Sequence, residues 1–164
     1  GAAKHVNGDR VAVVGSFGGG LLAAQVGAGS LPGGQVPQSV RCTATFTVLG
    51  YDISALVGKP VSAWWQPSMQ TAFPDSSTWD AASPLDRVLT SASPLRWLLV
   101  IPQSPPYIEN AQDFGRNIGA GGGLQDLVTF TPVDGVPIEK RVGQPDETEV
   151  TPAFTDFLKQ CSTA

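Results

Sequence analysis

Histidine is almost absent from this chain of 164 residues: the one imidazole is His5, close to the N-terminus, where chains are least tied down. Ser-His-Asp and Cys-His catalysis both need an imidazole held by a folded scaffold. Zinc sites usually combine several Cys and His ligands, and two cysteines with one terminal histidine cannot supply four. Neither chemistry is expected, and no metal or cofactor is expected with them. Charge is scarce too. Asp, Glu, Lys and Arg make up 15% of the residues, and 10 basic against 14 acidic side chains leave a net charge of −4. A nucleic-acid partner requires a basic surface that displaces counterions, and this balance does not offer one. Long apolar runs are missing as well. The longest, Trp97-Leu98-Leu99-Val100-Ile101, is stopped by Pro102, far short of the ~20 residues of a membrane span, so no membrane partner is expected. No charged leader precedes an apolar segment, so no secretory signal is read at the N-terminus. Cys42 and Cys161 lie 119 positions apart, which excludes a CxxC motif and a disulfide-dense scaffold.

What is present is apolar residue, at 41%, together with 19 glycines and 14 prolines. That is enough to bury a core, with a chain punctuated by turns. The clearest strand runs from Val40 to Val48. Val40, Cys42, Ala44, Phe46 and Val48 share one face, and Arg41, Thr43, Thr45 and Thr47 share the other, as a sheet with one wet face demands. Tyr51 to Val57 reads as a weaker strand, Gly58-Lys59-Pro60 as a turn, and Val61 to Gln66 as a third strand. Pro67 to Thr78 reads as a loop. Ser83-Pro84-Leu85-Asp86 is a helix start, limited to about two turns by Pro94. Leu95 to Ile101 reads as a strand buried on both sides. Pro102 to Gly123 reads as a long irregular connection, functional or disordered. Asp134-Gly135 between 127–133 and 136–142 predicts an edge hairpin flanked by Pro132 and Pro137. Thr151-Pro152 opens a final helix with Phe154, Phe157, Leu158 and Cys161 on one stripe.

With about seven strands and no sustained strand–helix alternation, the expected fold is mainly β. It would be an antiparallel sandwich or barrel, jelly-roll-like, with one or two short helices including an amphipathic C-terminal one. Residues 1–39 are expected to form a flexible Gly/Pro-rich arm with a short strand at 11–14, and residues 40–164 a single β-rich domain.

Four constellations could carry chemistry. Val11-Ala12-Val13-Val14-Gly15-Ser16-Phe17-Gly18-Gly19-Gly20 has the look of a strand entering a phosphate-cradling helix. Glycines at 15, 18, 19 and 20 do not make G-x-G-x-x-G, however, and no G-K-[ST] is present, so an arm or hairpin is preferred. Trp64-Trp65, with Trp79 nearby, places one indole inward and one outward; the outward ring is covered by a loop or helix, or forms an interface or a sugar platform. Asp75, Asp80, Glu109 and Asp113 could serve a hydrolase that needs no histidine. Cys42 and Cys161 could form a disulfide if the last helix docks on the Val40–Val48 strand, two buried free thiols being the alternative.

Low charge, near absence of histidine, richness in Thr, Ser, Gly, Pro and Ala, and the strand pattern over 40–142 resemble viral coat and virion-surface proteins. That resemblance implies a non-catalytic shell component of the virion that contacts itself or a larger shell protein. With only Lys4 and Arg10 in its N-terminal arm, it would be remote from the genome. Contacts are expected from the Gly15–Gln38 arm with Phe17, from Trp64 or Trp65, and from the 102–123 segment with Tyr107 and Phe114. The alternative is a carbohydrate-binding sandwich using Trp64 or Trp65 and Trp79 against a glycan, and the third is the Asp/Glu hydrolase.

Overall fold

Four strands, β1 (Val11–Ser16), β2 (Val40–Phe46), β3 (Arg96–Pro102) and β4 (Leu124–Phe130), pair in chain order into one sheet, and each pairing is parallel. The computed structural model describes residues 8–31, 34–58, 66–90, 95–133 and 135–163. Parallel neighbours require a crossover, usually helical. Here α1 (Gly18–Ala28) joins β1 to β2, and α6 (Pro105–Ala120) joins β3 to β4. Between β2 and β3 lie four short helices: α2 (Ile53–Gly58), α3 (Gln66–Ala72), α4 (Trp79–Ala82) and α5 (Pro84–Thr90). After β4 come α7 (Ile138–Arg141) and α8 (Val150–Thr163). Among the described residues no helix is long and apolar enough to cross a membrane.

The sheet is buried on both faces. On one, Leu21, Ala24 and Ala28 of α1 and Phe114 and Ile118 of α6 meet Trp97, Leu99 and Ile101. Trp97 lies edge-on to Phe114 at 5.3 Å between ring centroids, and Phe114 stacks on Tyr51 at 4.0 Å. Gly27 makes room for the indole, since a Cβ there would stand 2.6 Å from Trp97 Cη2. The Tyr51 hydroxyl pairs with Thr45 Oγ1 at 2.8 Å, and burial raises its phenol pKa well above the ordinary value. On the other face Cys42, Ala44, Phe46, Leu98, Val100 and Phe130 pack with Val150, Phe157 and Cys161. A disulfide joins Cys42 to Cys161 and fastens α8 to β2.

This parallel α/β architecture overturns the expectation of a mainly β, antiparallel, jelly-roll-like sandwich. Residues 11–28, expected within a flexible arm, form β1 and α1. The face of β2 expected to be wet is covered: Thr43 and Thr45 are fully buried. Residues 53–58 are helical rather than extended, because Asp52 accepts the N–H of Ala55 at 3.2 Å and the hydroxyl of Ser54 at 2.6 Å. The 102–123 segment is mostly a 16-residue helix. Pro105 and Pro106 occupy its first positions, where no intrahelical N–H is needed, and Ala111, Phe114, Gly115 and Ile118 form its buried stripe. Of the edge hairpin, the described residues keep only the bridge Val133–Val136, and α7 follows. The strand read at 61–66 lies almost wholly outside the described residues.

Closing a loop of 119 residues, the Cys42–Cys161 bridge constrains the unfolded chain by about 5 kcal/mol in the chain-entropy account. Reduction, or the double change Cys42→Ala with Cys161→Ala, is expected to lower the unfolding free energy by several kcal/mol, measured by urea denaturation with and without reductant.

Candidate functional site

In open parallel sheets, ligands bind outside the carboxyl ends of the strands. The residue following each strand forms a row along that edge. Phe17 N donates to Phe46 O (2.9 Å), Thr47 N to Val100 O (2.8 Å) and Gln103 N to Phe130 O (2.9 Å). Thr131 closes the row, its N–H donating to Glu149 Oε2 at 2.8 Å. Two members hold backbone conformations that non-glycine residues rarely adopt: Phe17 has φ 51° and ψ −120°, and Thr47 has φ 53°. A β-branched residue in that region is a true outlier, and such strain concentrates at functional sites.

The Phe17 turn has a local cause. β1 passes into α1 through this single residue, so the strand's last turn and the helix's first turn nearly touch. A Cβ on Gly15 would lie 2.0 Å from Gly19 O, and one on Gly20 would lie 2.5 Å from Val48 Cγ2. Glycine is required two residues before and three residues after Phe17, and the contact partner of Gly15 is Gly19, two residues after. That is the pattern Gly-x-nucleophile-x-Gly of a nucleophile elbow, in which a strained residue between strand and helix is thrust over the sheet edge. The first-turn N–H groups of Gly18–Gly20 have no intrahelical acceptor, and a helix N-terminus of this kind is electrostatically suited to an anion or a developing oxyanion.

The elbow residue is Phe17, 40% exposed, and its ring offers no nucleophile. Ser16 does not substitute for it. Paired with Phe46, it shares the α8 face of the sheet, and its Oγ is buried with no hydrogen-bond partner. A serine triad continues in chain order with an acid and a histidine. The other edge residues are Thr47, Gln103 and Thr131, and the chain's single histidine is His5, which lies outside the described residues. Beyond β4, two of the acidic residues, Glu149 and Glu147, have structural work. Glu149 holds Thr131. Glu147, 3% exposed, accepts the N–H groups of Glu149 (2.9 Å), Val150 (2.7 Å) and Thr151 (2.5 Å) and the hydroxyl of Thr151, and so caps α8. Desolvation raises the Glu147 pKa, but these hydrogen bonds outweigh it and hold the carboxyl below its usual range.

The residues singled out from sequence are dispersed. Phe114 is buried core, not a contact residue, and Tyr107 is half-buried against the same cluster. Trp79 is half-buried too, its indole N–H donating to Phe73 O at 3.0 Å. Trp64 and Trp65 lie outside the described residues. Asp75 caps a short turn through Ser77 (2.9 Å), and those hydrogen bonds lower its pKa. Asp113 pairs with Arg116 on α6, and Asp80 and Glu109 are exposed. Among the described residues no three His, Cys, Asp or Glu side chains gather as a metal site. In sequence, Gly15, Gly18, Gly19 and Gly20 match no phosphate-binding spacing and the residue between strand and helix is not a serine, so this turn becomes visible only in the fold.

No family model and no curated protein matches the sequence. Solved structures do match in fold. One is a protein named as a carboxylesterase from Lactobacillus plantarum WCFS1, 15% identical with a TM-score of 0.61, the match covering 98% of this chain and 60% of that one. Another is a thermophilic esterase of Thermogutta terrifontis, 16% identical with a TM-score of 0.55, covering 94% of this chain and 54% of that one. The chain thus spans little more than half the length of the esterases whose architecture it shares. This likeness in fold overturns the coat-protein resemblance, and with it the capsid, virion and non-catalytic assembly readings drawn from that resemblance.

Gly15→Ala is expected to destabilise the protein by at least about 2–3 kcal/mol, since backbone must move to admit the methyl; thermal denaturation would show it. The depressed Glu147 pKa makes its contribution to stability complete above the unfolded value near ~4.3 and lost as pH falls through the lower folded value. Urea midpoints followed from about pH 6 to about pH 2.5 should fall less steeply in Glu147→Gln than in the unmodified protein.

Proposed function

We propose that this protein is a hydrolase of carboxylic esters that works without an acyl-enzyme. The ester carbonyl lies against the first-turn N–H groups of α1, and water is the attacking group. Water oxygen bonds to the carbonyl carbon and the ester C–O bond breaks. One water proton leaves on the alcohol, and the other is released with the carboxylate. The observation that carries this reading is the strained Phe17 turn closed by Gly15 and Gly19, in an architecture shared with esterases. Its corollary is a slow enzyme: a site that keeps oxyanion donors and binding but lacks the nucleophile–imidazole pair retains about a thousandfold acceleration over water.

Two measurements test it. The protein should accelerate p-nitrophenyl butyrate hydrolysis by about a thousandfold over buffer, with no adduct by intact-mass spectrometry after fluorophosphonate treatment; turnover equal to buffer overturns the hydrolase reading. Because both native cysteines are bridged, Phe17→Cys places a lone thiol on the elbow, where a helix N-terminus favours the thiolate. It should release one p-nitrophenol per chain in a burst and be acylated at least tenfold faster than the exposed Gln112→Cys on α6. Equal acylation of the two would remove the elbow from the account.

A further inference from the structure

A cavity of about 690 Å³ lies along α1 under α3, α4 and α5. Its volume is in the range of small-molecule sites. Leu22 and Leu31, 56% and 37% exposed, leave apolar surface open to it, and Phe73 and Ala82 continue that surface. Gln25, almost fully buried, donates from Nε2 to Ala82 O at 2.9 Å and ties α1 to α4 across the floor. Among the described residues, the lining contains one charged group, Arg87, and no carboxylate. Arg87 reaches Gly29 O at 3.5 Å through one nitrogen and pairs with no acidic side chain among the described residues. Arg87 is therefore a planar fork with donors to spare, in the lining of a mainly apolar cavity. The lining starts at Leu22, five residues beyond Phe17 and roughly 8 Å along the helix at 1.5 Å per residue, and includes neither Phe17 nor Gly18–Gly20.

We propose that this cavity binds a medium-chain aliphatic carboxylate, its hydrocarbon tail against Leu22, Leu31 and Phe73 and its carboxylate on Arg87. An apolar wall with one unpaired cation and no acid selects an amphipathic anion over a neutral or cationic molecule of the same tail. The choice of a carboxylate among organic anions rests on the ester-hydrolase reading, whose product is such an acid.

Decanoate, decanol and decyltrimethylammonium, each titrated calorimetrically into the intact protein below its aggregation concentration, provide the test. Decanoate should bind at least roughly tenfold more tightly than either of the others. Arg87→Gln should abolish that preference while leaving decanol binding unchanged. Ala82→Trp, which fills the chamber, should weaken all three, with circular dichroism confirming the fold. Equal affinity for decanoate and decanol, or an unchanged decanoate affinity in Arg87→Gln, overturns the proposal. The outcome is independent of ester turnover: decanoate binding that survives in Phe17→Cys, in a protein that hydrolyses nothing, keeps the cavity and discards the elbow reading.

Discussion

The contact between Gly15 and Gly19 sets the rest of the site. With no side chain on Gly15, whose Cβ would fall 2.0 Å from Gly19 O, β1 ends and α1 begins on either side of a single residue, and that residue takes the strained conformation seen at Phe17. Strain of this kind costs on the order of 1–3 kcal/mol and persists only where the surroundings dictate it. Here they do: Phe17 N–H is held by Phe46 O, Leu21 N–H by Phe17 O, and Gly20 abuts Val48. Thr47, next along the same edge, holds a second positive φ. The strain is placed where ligands meet parallel sheets.

What that edge lacks is as informative as its shape. Phe17, Thr47, Gln103 and Thr131 stand where strands end, and none ionises near neutral pH. An activated nucleophile needs a base within hydrogen-bond reach, and no member of this row supplies one. Among the described residues, the fold shared with the two esterase structures therefore comes without a nucleophile–base pair along this edge.

Support for the edge comes from both faces of the sheet. Trp97, Phe114 and Tyr51 form a continuous aromatic column between sheet and helices, and Gly27 lets the indole reach α1. On the opposite face the disulfide fixes α8 to β2, and Glu147 caps the start of that helix. The elbow is thereby held between two packed layers, with the cavity beside α1 left open.

Local chemistry in the sequence was sufficient for several elements: the alternation that makes 40–46 a strand, the unbroken apolar run of β3, the Ser83-Pro84 start of α5, and the stripe of α8 that carries Cys161 toward Cys42. It also held the stripe Ala111, Phe114, Gly115, Ile118 and the Ser104-Pro105-Pro106 start of α6, although prolines in series read more readily as a loop. Tertiary structure alone decided that the threonine face of β2 is dry, that glycines 15, 20 and 27 serve close packing rather than flexibility, and that Phe17 is the residue held in the strained turn between β1 and α1. The physical reason is that parallel pairing joins strands through distant crossovers. Which face is covered, and which residue is forced into a strained turn, depend on helices packed from far along the chain and not on neighbours in sequence.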